Sequence, residues 1–406
     1  MPIDGKVLSV KKPAVDTLLP IAQAFARQHV VEQIQPYGSG NVNDTYLVTL
    51  TAPAPHLDSR YFVLQRVNTR VFPHPELILV NMRTFLSHIA QRVEQETGRH
   101  GQVSTITTPS GRRWHMPQII SNGSGTDSYV DQEQAFWRAI TLIEGAKTYG
   151  RIRDAAHAYE SGFALGHFHA LLSDLAPTTL HDTLPGFHIT PHYLAAYDAI
   201  LTDTSARRRQ QSVQREVVRE TMRFVDECRA WSSVLEDALS RGELTLRSIH
   251  GDPKVDNILI DDESARAVSI IDLDTVKPGL VHYDIGDCLR SCCNPVGEET
   301  TDLESVHFDV ELCRVILEGY LEETAGFFTE ADYAYVYDSI RLITFELGLR
   351  FFSDYLAGDR YFKTNYPDHN LQRALVQFRL AASIEAQETT IRQIVEEQQR
   401  SAHLAV

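Results

Sequence analysis

His250-Gly-Asp-Pro-Lys-Val-Asp-Asn-Ile-Leu-Ile260 and the nearby Ile270-Ile-Asp-Leu-Asp-Thr275 decide how this chain is read. Pro253 disfavours a helix through the first stretch, so Asp252 and Asn257 belong to a loop. The apolar pairs Leu259-Ile260 and Ile270-Ile271 flank Asp261-Asp262, a pattern that predicts a β-hairpin turning at the two aspartates. Such a hairpin returns Asp272 to the neighbourhood of Asn257. Two hard oxygen donors, a further carboxylate and one lysine, Lys254, then share a small volume.

That set suits phosphoryl transfer. Magnesium takes one or two side-chain oxygens and fills its remaining positions with phosphate and water, which makes Asn257 and Asp272 candidate metal ligands. An attacking hydroxyl needs an acceptor that orients it and takes its proton, and Asp252 can do this. Lys254 can offset charge growing on the transferred phosphoryl. The D-x-K-x-x-N spacing with a later metal-binding aspartate is that of the protein-kinase catalytic loop.

Outward from this segment, the N-terminal part reads as β-rich. A helical pattern near Leu18–Gln28 precedes a strand at Ile34, a turn at Gly38-Ser-Gly40 and a second strand through Tyr46 and Val48. Ala52–Pro55 reads as a Pro-rich break before a third strand, Tyr61–Val67. A helix over about 76–94 and strands near Arg113–Met116 and Phe136–Ile143 follow. After Glu144-Gly145 the pattern turns helical over 151–240 and again over 303–400, with the hairpin embedded between. The last helix is expected over about 371–400. A tight Gly turn between N-terminal strands can bring backbone amides close to a triphosphate, and Gly38–Gly40 precedes the His250–Asp272 set in the order kinases use.

Composition excludes several classes. With 38 Lys+Arg against 54 Asp+Glu, the formal charge is −16, which disfavours general nucleic-acid binding. Five scattered cysteines do not form a disulfide framework. No apolar run is long enough to span a membrane, and the first residues lack a signal-peptide core. A cytoplasmic chain acting on small molecules, probing neither nucleic acid nor membrane and working as a monomer, is the expectation. Cys288, Cys292 and Cys293 near His282 lack the second Cys pair of a zinc site. His167 and His169, two apart, point to different helix faces.

The chain resembles the aminoglycoside phosphotransferase and choline kinase superfamily, and within it the bacterial N-acetylhexosamine 1-kinases. The second resemblance rests on Pro36–Tyr46, Val63–Thr69, Ile271–Thr275, Asp284-Ile-Gly-Asp287 and above all Leu349–Leu371. It implies an α+β, bilobal protein-kinase-like fold. Residues 17–145 would form a nucleotide-covering lobe, and 146–400 a mostly helical catalytic and sugar-binding lobe. It implies ATP and Mg2+ as cofactors, with Asp252 as base assisted by Lys254 and with Asn257 and Asp272 holding the metal. ATP would meet Gly38, Ser39, Gly40, Asn41 and Gln65, with Glu144 at the linker beside adenine. Asp252, Asp272, Thr275, Arg350 and Tyr361 would contact the sugar, which would be phosphorylated at its anomeric hydroxyl.

Two departures bear on these roles. Kinases place a lysine on the third strand, where this chain has Gln65 with Arg66 beside it. Asn41 and Ser291 replace larger residues near the sugar. Arg350 has a simpler alternative as an ion-pair partner of Glu346 one helical turn earlier. The alternative functions are another small-molecule kinase, acting on an aminoglycoside, an amino alcohol or another hexose, and a nucleotide-binding pseudokinase.

Overall fold

Alternating apolar residues at Tyr46, Val48 and Leu50 give the second strand one buried face, while the next strand buries Phe62, Val63 and Leu64 in succession. The computed structural model describes residues 15–38, 42–55, 57, 59–97, 104–108, 111–203 and 213–405. Its strands in chain order are β1 (Val31–Pro36), β2 (Asp44–Ala54), β3 (Ser59–Val67), β4 (Thr105–Thr107), β5 (Arg113–His115), β6 (Ile119–Ile120), β7 (Ser128–Val130) and β8 (Phe136–Thr141). β9 (Ala146–Lys147), β10 (Arg247–Ile249), β11 (Ile258–Asp261), β12 (Ala267–Ile270) and β13 (Lys277–Gly279) complete the set. The main sheet runs β1-β2-β3-β8-β6, with β7 also on β8.

The expected break at Ala52–Pro55 is instead strand as far as Ala54. β1 pairs no further along than Leu50, so the β2 backbone near Pro53 faces no partner on that side, and proline is tolerated at such an edge. A register shift between Thr49 and Ala54 absorbs the irregularity on the β3 side. The short strands β4, β6 and β7 have two or three residues each, too few for a periodic signal.

One face of the sheet carries the helix Val15–Ala26, whose Leu18, Ile21, Ala22 and Phe25 pack on Val48, Leu50, Phe62 and Trp137. The other face carries the helix Pro75–Thr97. There the apolar core runs without interruption from Ile78, Met82 and Phe85 to Phe163 and Phe168, and on to Ile258, Ile270 and Leu273 of the hairpin region. Asn81 pins this helix to the chain beyond the hairpin, donating to the Val276 carbonyl at 2.9 Å. After β8 the chain forms β9, which pairs with β11, so the segment entering the helical region joins the hairpin directly.

The remainder is helical: Ala155–Leu171, Thr190–Thr202, Glu216–Cys228, Val281–Cys292, Val310–Thr324, Val336–Ala357, His369–Ala386 and Glu388–Ala405 are the longer helices. The expected single last helix is two, interrupted at Gln387. No glycine or proline marks the break. The Gln387 side chain turns back to donate to the Phe308 carbonyl at 2.9 Å, a tertiary contact that local pattern cannot foresee. Among the described residues no helix is long and apolar enough to cross a membrane.

The helices Ala155–Leu171 and Val310–Thr324 cross backbone to backbone. A Cβ at Gly162 would lie 1.9 Å from the Ile316 carbonyl oxygen, and one at Gly319 would lie 2.2 Å from that of Tyr159. Both atoms are backbone, so relief requires separating the helices. Gly162→Ala is expected to destabilise the protein by about 1–3 kcal/mol, the usual cost of overpacking, despite alanine's better helix propensity. Thermal denaturation checks this; an unchanged or raised melting temperature would show that the crossing is looser than described.

Candidate functional site

The loop at His250 is built around a buried carboxylate. Asp284, in the first turn of Val281–Cys292, is fully buried. Its Oδ2 accepts the His250 backbone N–H at 2.6 Å and its Oδ1 accepts that of Gly251 at 2.8 Å. His169 Nε2 lies 2.9 Å from the same Oδ2, and His169 Nδ1 lies 3.0 Å from the Tyr320 hydroxyl. Gly251 has φ +87°, and a Cβ there would lie 2.7 Å from the Thr275 carbonyl oxygen, so only glycine fits. His250 is neutral by its surroundings: burial lowers its pKa. Its Nε2 donates to the Ile271 carbonyl at 3.0 Å, while Nδ1 accepts the Asp252 N–H at 3.2 Å. These partners give the loop its shape and point to a structural histidine.

Asp252 lies half-buried beyond this anchor. Lys254 Nζ is 3.1 Å from its Oδ2. Asn257 Nδ2 donates to the Asp252 carbonyl at 2.7 Å and to its Oδ2 at 3.3 Å, and the Asn257 amide oxygen has no partner among the described residues. The Asp252 charge, chiefly, keeps Lys254 protonated, and Asp256 and Asp272 add to it. The hairpin pairs Ile258 with Ile270, and Ile271 N–H donates to the Asn257 carbonyl at 2.9 Å. Asp272 therefore follows directly beside Asn257. Its backbone is left-handed, φ 66°, a conformation that costs a non-glycine residue energy and persists only where neighbours enforce it.

Solvent reaches the Asp272 side chain, while protein crowds its other sides. That crowding first, then the Asp274 and Asp252 carboxylates, push its carboxyl up to about 7, with Lys254 and Arg138 opposing. A carboxylate held among like charges beside the Asn257 amide oxygen is a donor set that a hard divalent cation fits, and two protein oxygens suffice for magnesium.

On the sheet side, Gly38 has φ +75° and open space beside it; Ser39, Gly40 and Asn41 lie outside the described residues. Gln65 does not project free into the cleft. It donates to Thr45 Oγ1 at 3.2 Å and accepts from Arg138 at 2.8 and 3.0 Å. Arg138, across from it on β8, pairs with Asp274. Arg66 points to the other face and pairs with Asp44. Glu144 lies in the linker after β8, exposed, with its Oε1 accepting from Ser59 Oγ at 2.6 Å.

On the opposite side, Arg350 is not paired with Glu346. Glu346 is bound by His188 Nδ1 at 3.1 Å and by Thr190 Oγ1 at 2.9 Å. The Arg350 guanidinium instead sits over Phe187, Tyr193 and Phe362, 5.0, 5.2 and 5.6 Å from their ring centres. It has no hydrogen-bond acceptor among the described residues. The segment bearing Phe362 and the exposed Tyr361 is fastened by Asp354, which accepts the Arg360, Tyr361 and Phe362 backbone N–H groups at 2.7, 2.9 and 2.9 Å. Thr275 donates its hydroxyl to the His250 carbonyl at 2.8 Å, so it shapes the loop and keeps only acceptor capacity for a ligand. Ser291 Oγ accepts the Val255 N–H at 3.3 Å.

Sequence alone leaves Asp284, Arg138, Asn43 and His188 without a role and offers Glu346 only as a helical-spacing partner of Arg350. Asp274 was visible in Asp272-Leu-Asp274, but its partner 136 residues earlier was not. His188 touches both Glu346 and, through Nε2, the Gly251 carbonyl at 2.8 Å. Both ring nitrogens face acceptors, so His188 ties the loop to the Arg350 helix. Burial opposes its charge, but Glu346, Asp287 and the Gly251 carbonyl together raise its pKa.

A β-rich sheet over a helical region, with an Asp…Asn…Asp loop between them, defines the architecture of a protein-kinase-like phosphotransferase. Residues 33–304 match the model of the phosphotransferase enzyme family, and the chain belongs to that family. Among solved structures, a microcompartment-associated aminopropanol kinase is 15% identical with a TM-score of 0.56, over 92% of this chain and 98% of that one. An aminoglycoside phosphotransferase from Alicyclobacillus acidocaldarius has the same identity, 15%, and the same TM-score, 0.56, over 90% and 93% of the two chains. A choline kinase from Cryptosporidium parvum is 12% identical with a TM-score of 0.54, over 96% and 100%. At these identities the likeness shows the fold.

The crowded Asp272 carboxylate has a measurable consequence. Asp272→Asn removes a charge that Asp274 and Asp252 oppose. The variant is expected to melt at the same or a higher temperature than the parent at pH 8 without divalent cations. A protein whose melting temperature falls by several degrees on this change would show that the Asp272 charge is compensated in the fold.

Proposed function

We propose that this phosphotransferase is an ATP- and Mg2+-dependent kinase that phosphorylates the anomeric hydroxyl of an N-acetylhexosamine. Residues 17–145 would cover the nucleotide, with the turn that begins at Gly38 near the phosphates and the Glu144 linker at adenine. Residues 146–400 would carry the chemistry. The acceptor oxygen forms a bond to the γ-phosphorus as the bond to ADP breaks, and its proton passes to Asp252. Lys254 keeps Asp252 oriented and offsets charge on the moving phosphoryl. Asn257 and Asp272 would hold Mg2+, which supplies charge neutralisation at the phosphates when bound.

The observation that carries the acceptor assignment is Arg350. Its guanidinium is ringed by aromatic groups and spent on no carboxylate, so its donors are available to a ligand's oxygens. A sugar supplies hydroxyl and carbonyl acceptors, and its C–H faces suit Tyr193, Tyr361 and Phe362. An ammonium acceptor, such as choline or an aminoglycoside, would meet a fixed positive charge there, despite the chain's net charge of −16. This favours the sugar over the cationic acceptors of the alternative reading.

An ADP-release assay over N-acetylglucosamine, N-acetylgalactosamine, glucose, galactose, choline and kanamycin tests it, with phosphorus NMR locating the phosphate. Turnover with the acetylated hexosamines and an anomeric phosphate is expected. Turnover confined to a cationic acceptor would move the chain to the alternative kinase class. Nucleotide binding with no turnover on any acceptor would make it a pseudokinase.

Two substitutions locate the roles. Asp252→Asn keeps the shape of the side chain but loses its proton-accepting capacity, so kcat should fall about 10²–10⁴-fold with ATP affinity nearly unchanged. A variant with normal kcat would remove Asp252 from the base role. Arg350→Ala removes a charged donor from a bound acceptor, worth about 1.5–3 kcal/mol, or roughly 10–150-fold in kcat/KM for the hexosamine. Because Glu346 is held by His188 and Thr190, the melting temperature should barely move. A lowered melting temperature with unaltered hexosamine KM would take Arg350 out of the site.

A further inference from the structure

The turn carrying Asp272 is held from both sides of the cleft. From the helical side, Thr183 Oγ1 donates to the Asp274 carbonyl at 2.8 Å and Thr275 to the His250 carbonyl at 2.8 Å. From the sheet side, Asn43 Nδ2 donates to Asp274 Oδ2 at 2.7 Å, and Arg138 Nη2 takes Asp274 Oδ1. Arg138 and Asp274 side chains are 2% and 3% exposed, so this is a fully desolvated ion pair. Gln65 accepts from both Nε and Nη2 of the same guanidinium, which fixes its plane. Nη1 lies 3.6 Å from the Met82 sulfur on the helix Pro75–Thr97. Asn43, just before β2, and Arg138, on β8, therefore meet on a single carboxylate two positions from Asp272, and Gln65 and Met82 hold the guanidinium.

We propose that Arg138 is the positioning residue of the metal-binding turn: through Asp274 it holds the left-handed backbone at Asp272 from the N-terminal sheet. The inference rests on the reading of Asp272 as a metal ligand. The physical reasoning is short. A left-handed aspartate relaxes unless its neighbours over-determine it. A buried ion pair is a poor source of net stability but a strict geometric constraint, since each partner is costly to leave alone. The strand-three position that carries lysine in kinases is Gln65 here. It brings no charge of its own and serves to aim the arginine from the adjacent strand. The cation on this side of the cleft thus acts on the metal turn through Asp274, and the sheet and the metal site are mechanically one unit.

The test uses the full chain and reads metal binding without turnover: Mn2+ affinity in the presence of ADP, by electron paramagnetic resonance, alongside the melting temperature. Single truncation at Arg138 leaves Asp274 charged and buried, and that variant can fail to fold. The decisive variant is therefore Arg138→Met with Asp274→Leu, which replaces the ion pair by apolar groups of similar size and is expected to keep the melting temperature within a few degrees. Mn2+ affinity should weaken about 10–100-fold, the usual effect of losing a partner that orients a metal ligand. Arg138→Lys, whose single nitrogen cannot serve Gln65 and Asp274 together, should lie between. A folded double variant with parental Mn2+ affinity would overturn the proposal. Asp272→Asn is the control. If it loses Mn2+ while the double variant does not, the Arg138 inference alone fails; if it binds Mn2+ as the parent does, the reading of Asp272 fails and this inference with it.

Discussion

The Asp284 carboxylate, buried completely and bonded to two consecutive backbone amides and a histidine, is the constraint on which the site depends. A charge can be kept in such a place only if its oxygens are satisfied, and here the loop supplies the donors. Stability and site geometry are therefore the same interaction. Once His250 and Gly251 are fixed, His250 passes the constraint to Ile271, and Gly251, lacking a Cβ, lets Thr275 close against it. Asp252 emerges from this frame with no freedom to follow its own preference.

Charge in the cleft is arranged against the chain's overall sign. Asp252, Asp272 and Asp274 cluster where an acidic protein would least afford them, and three cations answer from three directions. Lys254 lies in the loop itself, Arg138 comes from the sheet, and Arg350 comes from the helix beyond. Asp274 is paired with Arg138 and Asn43, whereas Arg350 sits among aromatic rings with no carboxylate partner among the described residues. His188, with both its nitrogens facing acceptors, links the Gly251 carbonyl to Glu346, one helical turn from Arg350. The Arg350 helix and the loop are consequently joined by a buried hydrogen-bond chain, as the sheet and the Asp272 turn are joined by Arg138 and Asp274.

Sequence reading went furthest where the chain's own periodicity or stereochemistry carries the information. The turn of the Ile258–Ile270 hairpin and the loop at Pro253 follow from residues close in sequence. Its errors share one cause. Pro53 was read as a break because the end of its neighbouring strand's pairing was invisible. The interruption at Gln387 was missed because it is set by a carbonyl at Phe308. Arg350 offered Glu346 as a partner by helical spacing, yet Glu346 belongs to His188 and Thr190, which lie over 150 residues away. Ser39, Gly40 and Asn41 lie outside the described residues.

The sequence by itself determined the α+β class, the order of sheet, hairpin and helices, and the set of residues able to do phosphoryl transfer, because spacing along the chain controls strand, turn and helix formation. Tertiary structure alone decided which charges are neutralised and which are free. Arg138 is spent on Asp274 and Arg350 on no carboxylate among the described residues, although each stands between apolar neighbours in sequence with no local mark to distinguish them. Ion pairing is settled by through-space distance and by the cost of leaving a buried charge alone, and neither quantity exists until the sheet, the hairpin and the helices are packed together.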